Sequence, residues 1–232
     1  MLQYTGHMFA VIVLVDYKPT AKWWGFTRFV FGRFSMRKIP GLRFFKILGS
    51  GRNGGFGLQP SATRQGLFCI FDTEPQADDF LQRSSVVANY KSHALEFFSA
   101  KLIAYSSKGS WSGQTIAVNT EAPTSGPIAA LTRASIRPEK AVAFWRNSPA
   151  AEMSLDEADG CLLAVGLGEA PIFRQATFSI WESLEAMNEY ARTGAHLEAI
   201  KASLSGNHFS ESMFVRFKPI SPTGVWKGRR FA

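Results

Sequence analysis

The feature that most constrains the fold is an internal repeat. Residues 64–72 recur as residues 174–182 at an offset of 110, and four of the nine positions are identical, with chemically close residues at others. Two shorter glycine motifs recur in the same order along the chain: 49–51 with 166–168, and 109–113 with 224–228. Matches that keep their order along both halves of a 232-residue chain indicate a tandem duplication.

Both halves have the hydrophobic pattern of a βαββαβ unit. Runs rich in β-branched residues predict strands, and longer periodic stretches bounded by capping residues or Pro-Gly predict helices. The first half has strand 7–17, helix 20–38, strands 42–48 and 66–71, helix 74–96 and strand 98–105. The second half has strand 127–136, helix 138–147, strands 161–167 and 176–181, helix 184–204 and strand 212–219.

The pattern predicts an α+β fold of tandem ferredoxin-like (βαββαβ) repeats, packed sheet to sheet as an intramolecular α+β barrel. One such unit carries helices on only one face of its sheet, so the other face needs a cover. Two units on one chain can cover each other. We therefore divide the chain into a first half, 1–112, a linker, 113–126, that is rich in small and polar residues, and a second half, 127–232.

The charge is unevenly distributed. No acidic residue occurs between Asp16 and Asp72, a stretch that carries ten of the 26 Lys and Arg residues. The rest of the chain has sixteen bases against eighteen acids. A local positive potential of this kind is typical of a surface that meets a partner.

The basic stretch is also aromatic, with nine aromatic residues between Tyr17 and Phe45. On the predicted helix, Trp23, Phe26, Val30 and Phe34 share one face. Three interpretations are open: a core-facing helix with solvated arginines, a wall for a large apolar ligand, or a membrane-surface contact.

Several common sites find no support in the sequence. Cys69 and Cys161 have no metal-ligand spacing and form no disulfide framework, and no HExxH, Walker or G-x-S-x-G motif is present. The first apolar run, 8–15, is far shorter than the ~20 residues that a membrane span needs. With no signal-peptide pattern at the start, we expect a cytoplasmic protein, free or peripheral to a membrane.

His196 differs from the other three histidines because it lies within the last long predicted helix. Its repeat partner is Val86, so an apolar position is an imidazole in one half only. Gly194 falls in the same predicted helix, where glycine costs about 1 kcal/mol relative to Ala, and this favours close approach of a bulky flat group. Neutral imidazole is a common iron and haem ligand. From the residues alone, a structural and a ligand role for His196 both stay open.

Segments spread over nearly the whole chain resemble the spheroidene monooxygenase family of carotenoid ketolases. They are residues 41–51, 132–137, 144–145, 166–171, 175–182, 194–196 and 209–214. The resemblance implies a haem-dependent monooxygenase that uses O₂ and a reduced ferredoxin-type electron donor. It also implies an apolar substrate, a carotenoid in the named members of the family.

The resemblance also implies site residues. The histidine that matches the family pattern is His196, which would bind haem iron. A haem oxygenase needs a polar group on the oxygen side. Arg43, Lys46 and Arg133 lie on predicted strands within family-like segments, and they are candidates for that role or for pairing with haem propionates.

Two alternatives remain. The first is a cofactor-free α+β barrel oxygenase or binding protein, which has the same fold without iron. The second is an RNA-binding tandem of RRM-like modules, which share the βαββαβ topology and expose aromatics on the sheet. A closed barrel would bury the sheet faces that stack bases, so we expect no nucleic-acid partner.

Overall fold

The computed structural model describes residues 8–55, 57, 59–146, 155, 158–170, 172–194, 197–198, 201 and 206–232. The strands are β1 Phe9–Tyr17, β2 Leu42–Gly51, β3 Pro60–Phe71, β4 Ala94–Gly109, β5 Ile128–Ile136, β6 Cys161–Ala170, β7 Arg174–Trp181, β8 Phe209–Trp226 and β9 Arg229–Phe231. The helices are α1 Lys22–Met36, α2 Glu74–Arg83, α3 Ser85–His93 and α4 Leu184–Arg192, and residues 141–146 are also helical. Short 3₁₀ turns span Pro19–Ala21, Arg52–Gly54 and Pro138–Lys140.

Strands β1 to β8 form a closed antiparallel barrel. Their order is β4-β1-β3-β2-β6-β7-β5-β8, and a long β4–β8 pairing closes the ring. The two halves also meet at β2–β6, where Gly49 lies opposite Gly168. The predicted α+β class and barrel are confirmed. The strand order within each half is the same, whereas the duplication and the half boundaries stay predictions.

A hydrophobic core fills the barrel. It contains the inward side chains of all eight barrel strands together with Trp111 and Trp226. These tryptophans follow Gly109 and Gly224, which lie at opposite ends of the β4–β8 ladder. A Cβ at Gly109 would lie 2.0 Å from the Ser212 carbonyl oxygen, and one at Gly224 would lie 2.0 Å from that of Phe97. Both positions therefore require glycine.

Two predicted helices are shorter in the structure. Helix 74–96 is divided at Ser84, whose ψ of 129° is extended and whose hydroxyl accepts the Val86 amide at the start of α3. Helix 184–204 is interrupted after Arg192, because Thr193 is extended and Gly194 has a φ of +58°. Glycine adopts positive φ without strain. The interpretation of Gly194 as a costly mid-helix glycine was therefore wrong.

The orientation of α1 is opposite to that of a core-facing helix. Gly25 and Gly32 are buried and pack against Tyr17 and Ile47. The predicted apolar face points to solvent, with Trp23, Phe26, Val30 and Phe34 between 58% and 71% exposed. The core-facing interpretation of these four residues was therefore wrong. Among the described residues, no helix is long and apolar enough to cross a membrane.

Candidate functional site

Four charged side chains converge on the inner side of the barrel wall. Arg133 is 3% exposed and lies between two carboxylates. Its Nη1 donates to Glu211 Oε2 at 2.5 Å, and its Nη2 lies 3.4 Å from Glu169 Oε1. Lys46 Nζ donates to Glu169 Oε2 at 2.6 Å. We call these four residues the ionic cluster. Its charges balance, as burial requires.

The ionic cluster surrounds Trp111. The indole Nε1 donates to Glu169 Oε1 at 2.6 Å. The Arg133 guanidinium and Lys46 Nζ lie 5.7 and 5.8 Å from the ring centre, within cation–π range. On its apolar side the ring stacks on Phe68, with centroids 5.4 Å apart. The cluster therefore fixes the position of this tryptophan at one end of the barrel.

Both carboxylates of the cluster are held ionised. Burial by itself would raise the pKa of Glu169, but hydrogen bonds from Lys46 and Trp111 and the nearby cations bring that pKa below its usual range. Desolvation by itself would also raise the pKa of Glu211. The Gly113 amide, the Ser110 hydroxyl and Arg133 outweigh it and lower the pKa of Glu211 to about 2. Neither group is a proton donor near neutral pH.

The sequence-predicted residues Lys46 and Arg133 meet here, and Arg43 does not. Arg43 lies at an irregularity in the β2–β3 register and pairs with Asp72, away from Trp111. Sequence reasoning missed Glu169 and Glu211. The available signal was strand alternation, since Glu169 continues the inward row of Leu163, Val165 and Leu167.

On the outer face of the second-half sheet, three neighbouring strands, β5, β6 and β7, carry small residues at their centre. At its centre, Thr132 pairs with Phe214 on one side and Thr177 on the other, and Thr177 pairs with Gly166. In the corresponding row of the first half, Val13 pairs with Leu67, and Leu67 pairs with Ile47, whereas Ser99 stands where the second half has Phe214. We call the second-half face the small-residue floor.

The next row repeats this difference. Ala130, Ser179 and Ala164 occupy the positions that Val11, Cys69 and Phe45 hold in the first half.

Exposure across this face is uneven, because Gly166, Ala164 and Ser179 are buried although their side chains are small. Val13 is fully buried beneath the first-half helices, whereas Thr132 is exposed. Helices on a sheet normally bury the centre of the face that they cover. Among the described residues, the small-residue floor therefore places less side-chain volume above the sheet than the same strands of the first half do, and it is open at Thr132.

Polar groups border this space. Tyr105 packs at the edge of the second-half outer core, and its buried hydroxyl has no hydrogen-bond partner among the described residues. Burial raises the pKa of Tyr105, and the positive charge of Arg216 opposes that shift. Arg216 pairs in register with Ala130 on the floor. An orphaned hydroxyl and a cation beside a small-residue surface fit a flat, mainly apolar group with acidic substituents.

His196, the predicted haem ligand, lies outside the described residues. Within the described part of the chain, no group of three or more His, Cys, Asp or Glu side chains could hold a metal ion.

Comparison with known proteins gives close relatives over most of the chain. Spheroidene monooxygenase of Rubrivivax gelatinosus is 56% identical over 221 residues, which cover 95% of this chain and 86% of the relative. Spheroidene monooxygenase of Rhodobacter capsulatus is 32% identical over 210 residues, with 89% and 87% covered. No family model matches the chain.

A solved structure of aldoxime dehydratase in complex with butyraldoxime aligns with a TM-score of 0.62 at 8% identity, covering 92% of this chain and 79% of that one. At this identity the likeness shows the fold alone.

Proposed function

The chain belongs to the spheroidene monooxygenase family, and we propose that this monooxygenase depends on haem and oxidises a carotenoid. By the name of its relatives, the substrate is spheroidene or a similar apolar polyene. When bound, haem supplies the activation of dioxygen with electrons from a reduced donor of the ferredoxin type.

The small-residue floor is the observation that carries the haem proposal. A planar macrocycle needs a flat surface with little side-chain volume, and Thr132 and Gly166 stand where the first half has Val13 and Ile47. Arg216 and the Tyr105 hydroxyl would hold the acidic substituents. His196 would bind the haem iron, because imidazole is the commonest haem attachment.

The ionic cluster has a different proposed role. Thr132 and Arg133 are adjacent on β5, so their side chains point to opposite faces of the sheet. A group on the small-residue floor would therefore not touch Arg133 or Lys46. We assign these two residues to positioning, since they tie β2, β5, β6 and β8 together around Trp111. The role of Arg43 stays a prediction.

We also propose that the two halves derive from one duplicated βαββαβ unit. The support is the common strand order and the two Gly-x-Trp hairpins at opposite ends of the β4–β8 ladder. The RNA-binding alternative loses its basis, because the barrel interior is packed with the inward side chains.

The proposal is tested by absorption spectroscopy of the purified protein, titrated with hemin and then reduced with dithionite. We expect a Soret band that saturates at one hemin per chain and that His196→Ala abolishes. Thr132→Leu, which fills the floor, should weaken hemin binding by tenfold or more, on the order of 1.4 kcal/mol. Thr63→Leu on β3 of the first half is the matched control and should bind hemin normally.

If the protein does not bind hemin, the haem proposal is rejected and the cofactor-free α+β barrel oxygenase or binding protein remains. The substrate is tested separately with the loaded protein, a reduced ferredoxin and spheroidene. O₂-dependent formation of a ketone is expected by chromatography and mass spectrometry. A Soret band without turnover would retain the haem proposal and reject spheroidene as the substrate.

A further inference from the structure

The outer surface of α1 carries exposed apolar side chains bordered by bases. We propose that Trp23, Phe26, Val30 and Phe34 insert into the interfacial region of an anionic membrane while the surrounding bases contact lipid headgroups. The inference rests on the proposed function in one respect, since an apolar polyene partitions into bilayers and its enzyme has to reach it there.

The packing of α1 forces the large side chains outward. A Cβ on Gly25 would lie 2.3 Å from the Tyr17 ring, and a Cβ on Gly32 would lie 2.8 Å from Ile47 Cδ1. The helix therefore approaches the sheet through its glycine side. At about 100° per residue, the opposite side is the stripe of Trp23, Val30 and Phe34.

The stripe is long and strongly exposed. Its residues are exposed by 71% at Trp23, 64% at Phe26, 58% at Val30 and 62% at Phe34, and Phe31 beside them is 56% exposed. The 15-residue helix is about 22 Å long. Single exposed apolar residues are common on protein surfaces, whereas a contiguous aromatic stripe marks an interaction site. Aromatic side chains are also the ones enriched at membrane interfaces.

Charge complementarity identifies the occupant. The exposed bases around the stripe are Lys18, Lys22, Arg33, Arg37 and Lys38, and no acidic residue occurs from Tyr17 to Phe71. A second copy of the chain would oppose like charges across this surface. An amphipathic helix with a basic border and an aromatic face instead matches the anionic headgroups and the acyl boundary of a bilayer.

The experiment measures co-sedimentation of the full chain with vesicles. Vesicles of equal parts phosphatidylcholine and phosphatidylglycerol should bind the protein, and pure phosphatidylcholine vesicles should bind it much more weakly. Phe34→Ala should lower the partition coefficient about tenfold, because it removes an aromatic side chain that would be buried in the bilayer interface. Arg33→Ala should lower it about fivefold, as expected for one cation at the surface.

Two substitutions outside α1 serve as matched controls. Val142→Ala removes an apolar side chain that is 76% exposed, and Arg230→Ala removes an exposed cation on β9. Both should bind vesicles like the unaltered chain. Equal loss in the α1 and control variants would overturn the inference, as would failure to bind either type of vesicle.

The remaining outcomes distinguish a bilayer from a second copy of the chain, and the docking proposal from the haem proposal. If α1 variants instead convert a dimer to a monomer in sedimentation velocity, the surface meets a second copy and the bilayer is excluded. Hemin titration and vesicle binding of the unaltered chain separate the two proposals. A normal Soret band without vesicle binding removes only the docking surface, and vesicle binding without a Soret band removes only the haem.

Discussion

Replacing Glu169 by Gln tests how strongly the ionic cluster stabilises the barrel. The substitution keeps the shape of the side chain and removes its charge. The Gln amide oxygen can still accept one hydrogen bond, but the charge that pairs with Lys46 and Arg133 is lost, and Glu211 is then the carboxylate that remains against Arg133. Two cations then share one carboxylate in a site where Arg133 is 3% exposed.

The magnitude follows from burial. Removing one partner of a buried ion pair costs about 3–5 kcal/mol. The side chain of Lys46 is 19% exposed, so water can solvate it in part, and the low end, about 3 kcal/mol, is expected. For a chain of this size that lowers Tm by roughly 6–12 °C.

The assay is urea unfolding followed by circular dichroism at neutral pH, with calorimetry for Tm. Asp79→Asn is the control, because Asp79 pairs with Arg83 on the surface and both side chains are more than half exposed. Such a pair contributes only about 0–1 kcal/mol. The double variant Lys46→Met/Glu169→Gln should regain part of the lost free energy of unfolding, because it removes the cation that Glu169→Gln leaves without its carboxylate. The reasoning would be refuted if Glu169→Gln lowered the urea midpoint no more than Asp79→Asn does.

Two further predictions concern the same fold. The pKa of Glu211 is lowered from 4.5 to about 2, so its stabilisation is complete above pH 4.5 and is lost as the pH falls toward 2. Acid unfolding should show this loss, and Glu211→Gln should reduce the slope of stability against pH in that window; an unchanged slope would contradict the role of Glu211. On α1, Gly25→Ala places a Cβ 2.3 Å from the Tyr17 ring, which is held by a hydrogen bond to Gln65. Urea unfolding should show that this substitution lowers the free energy of unfolding by about 1–3 kcal/mol. Gly49→Ala is the control: its Cβ would lie 3.5 Å from the Phe29 ring, an ordinary contact distance, so the free energy of unfolding should change by less than about 0.5 kcal/mol. Equal effects of the two substitutions would argue against the close packing of α1.

Strand alternation and the repeat were sufficient to predict the barrel. Strand alternation is a local pattern, and the repeat is found by comparing the chain with itself, so both can be read from a single sequence. Lys46 and Arg133 were found because they lie within strand-like segments. Glu169 and Glu211 were missed because their contacts depend on β2 meeting β6 and β5 meeting β8, and nothing in a single sequence states those pairings.

The helices show the same limit. Periodicity correctly placed Trp23 and Phe34 on one face of α1, but it does not say whether that face points inward. Gly25 and Gly32, seven residues apart, were the signal of a close-packed opposite side. Gly194 was also a signal, since glycine beyond a helix end commonly adopts positive φ, as it does here.

The closure of the barrel has a consequence for how the protein meets copies of itself. Apart from β2 and β6, the barrel strands are paired along both sides, so they lack the exposed backbone edge that templates strand-by-strand aggregation. In the part of the chain that the structure describes, β2 and β6 pair with each other only through Gly49 with Gly168 and Ser50 with Leu167. Within the described chain, the open outer edge of the sheet belongs to β9, which has three residues. The protein therefore carries an aromatic outer helix while offering little open sheet edge, so association is left mainly to side chains.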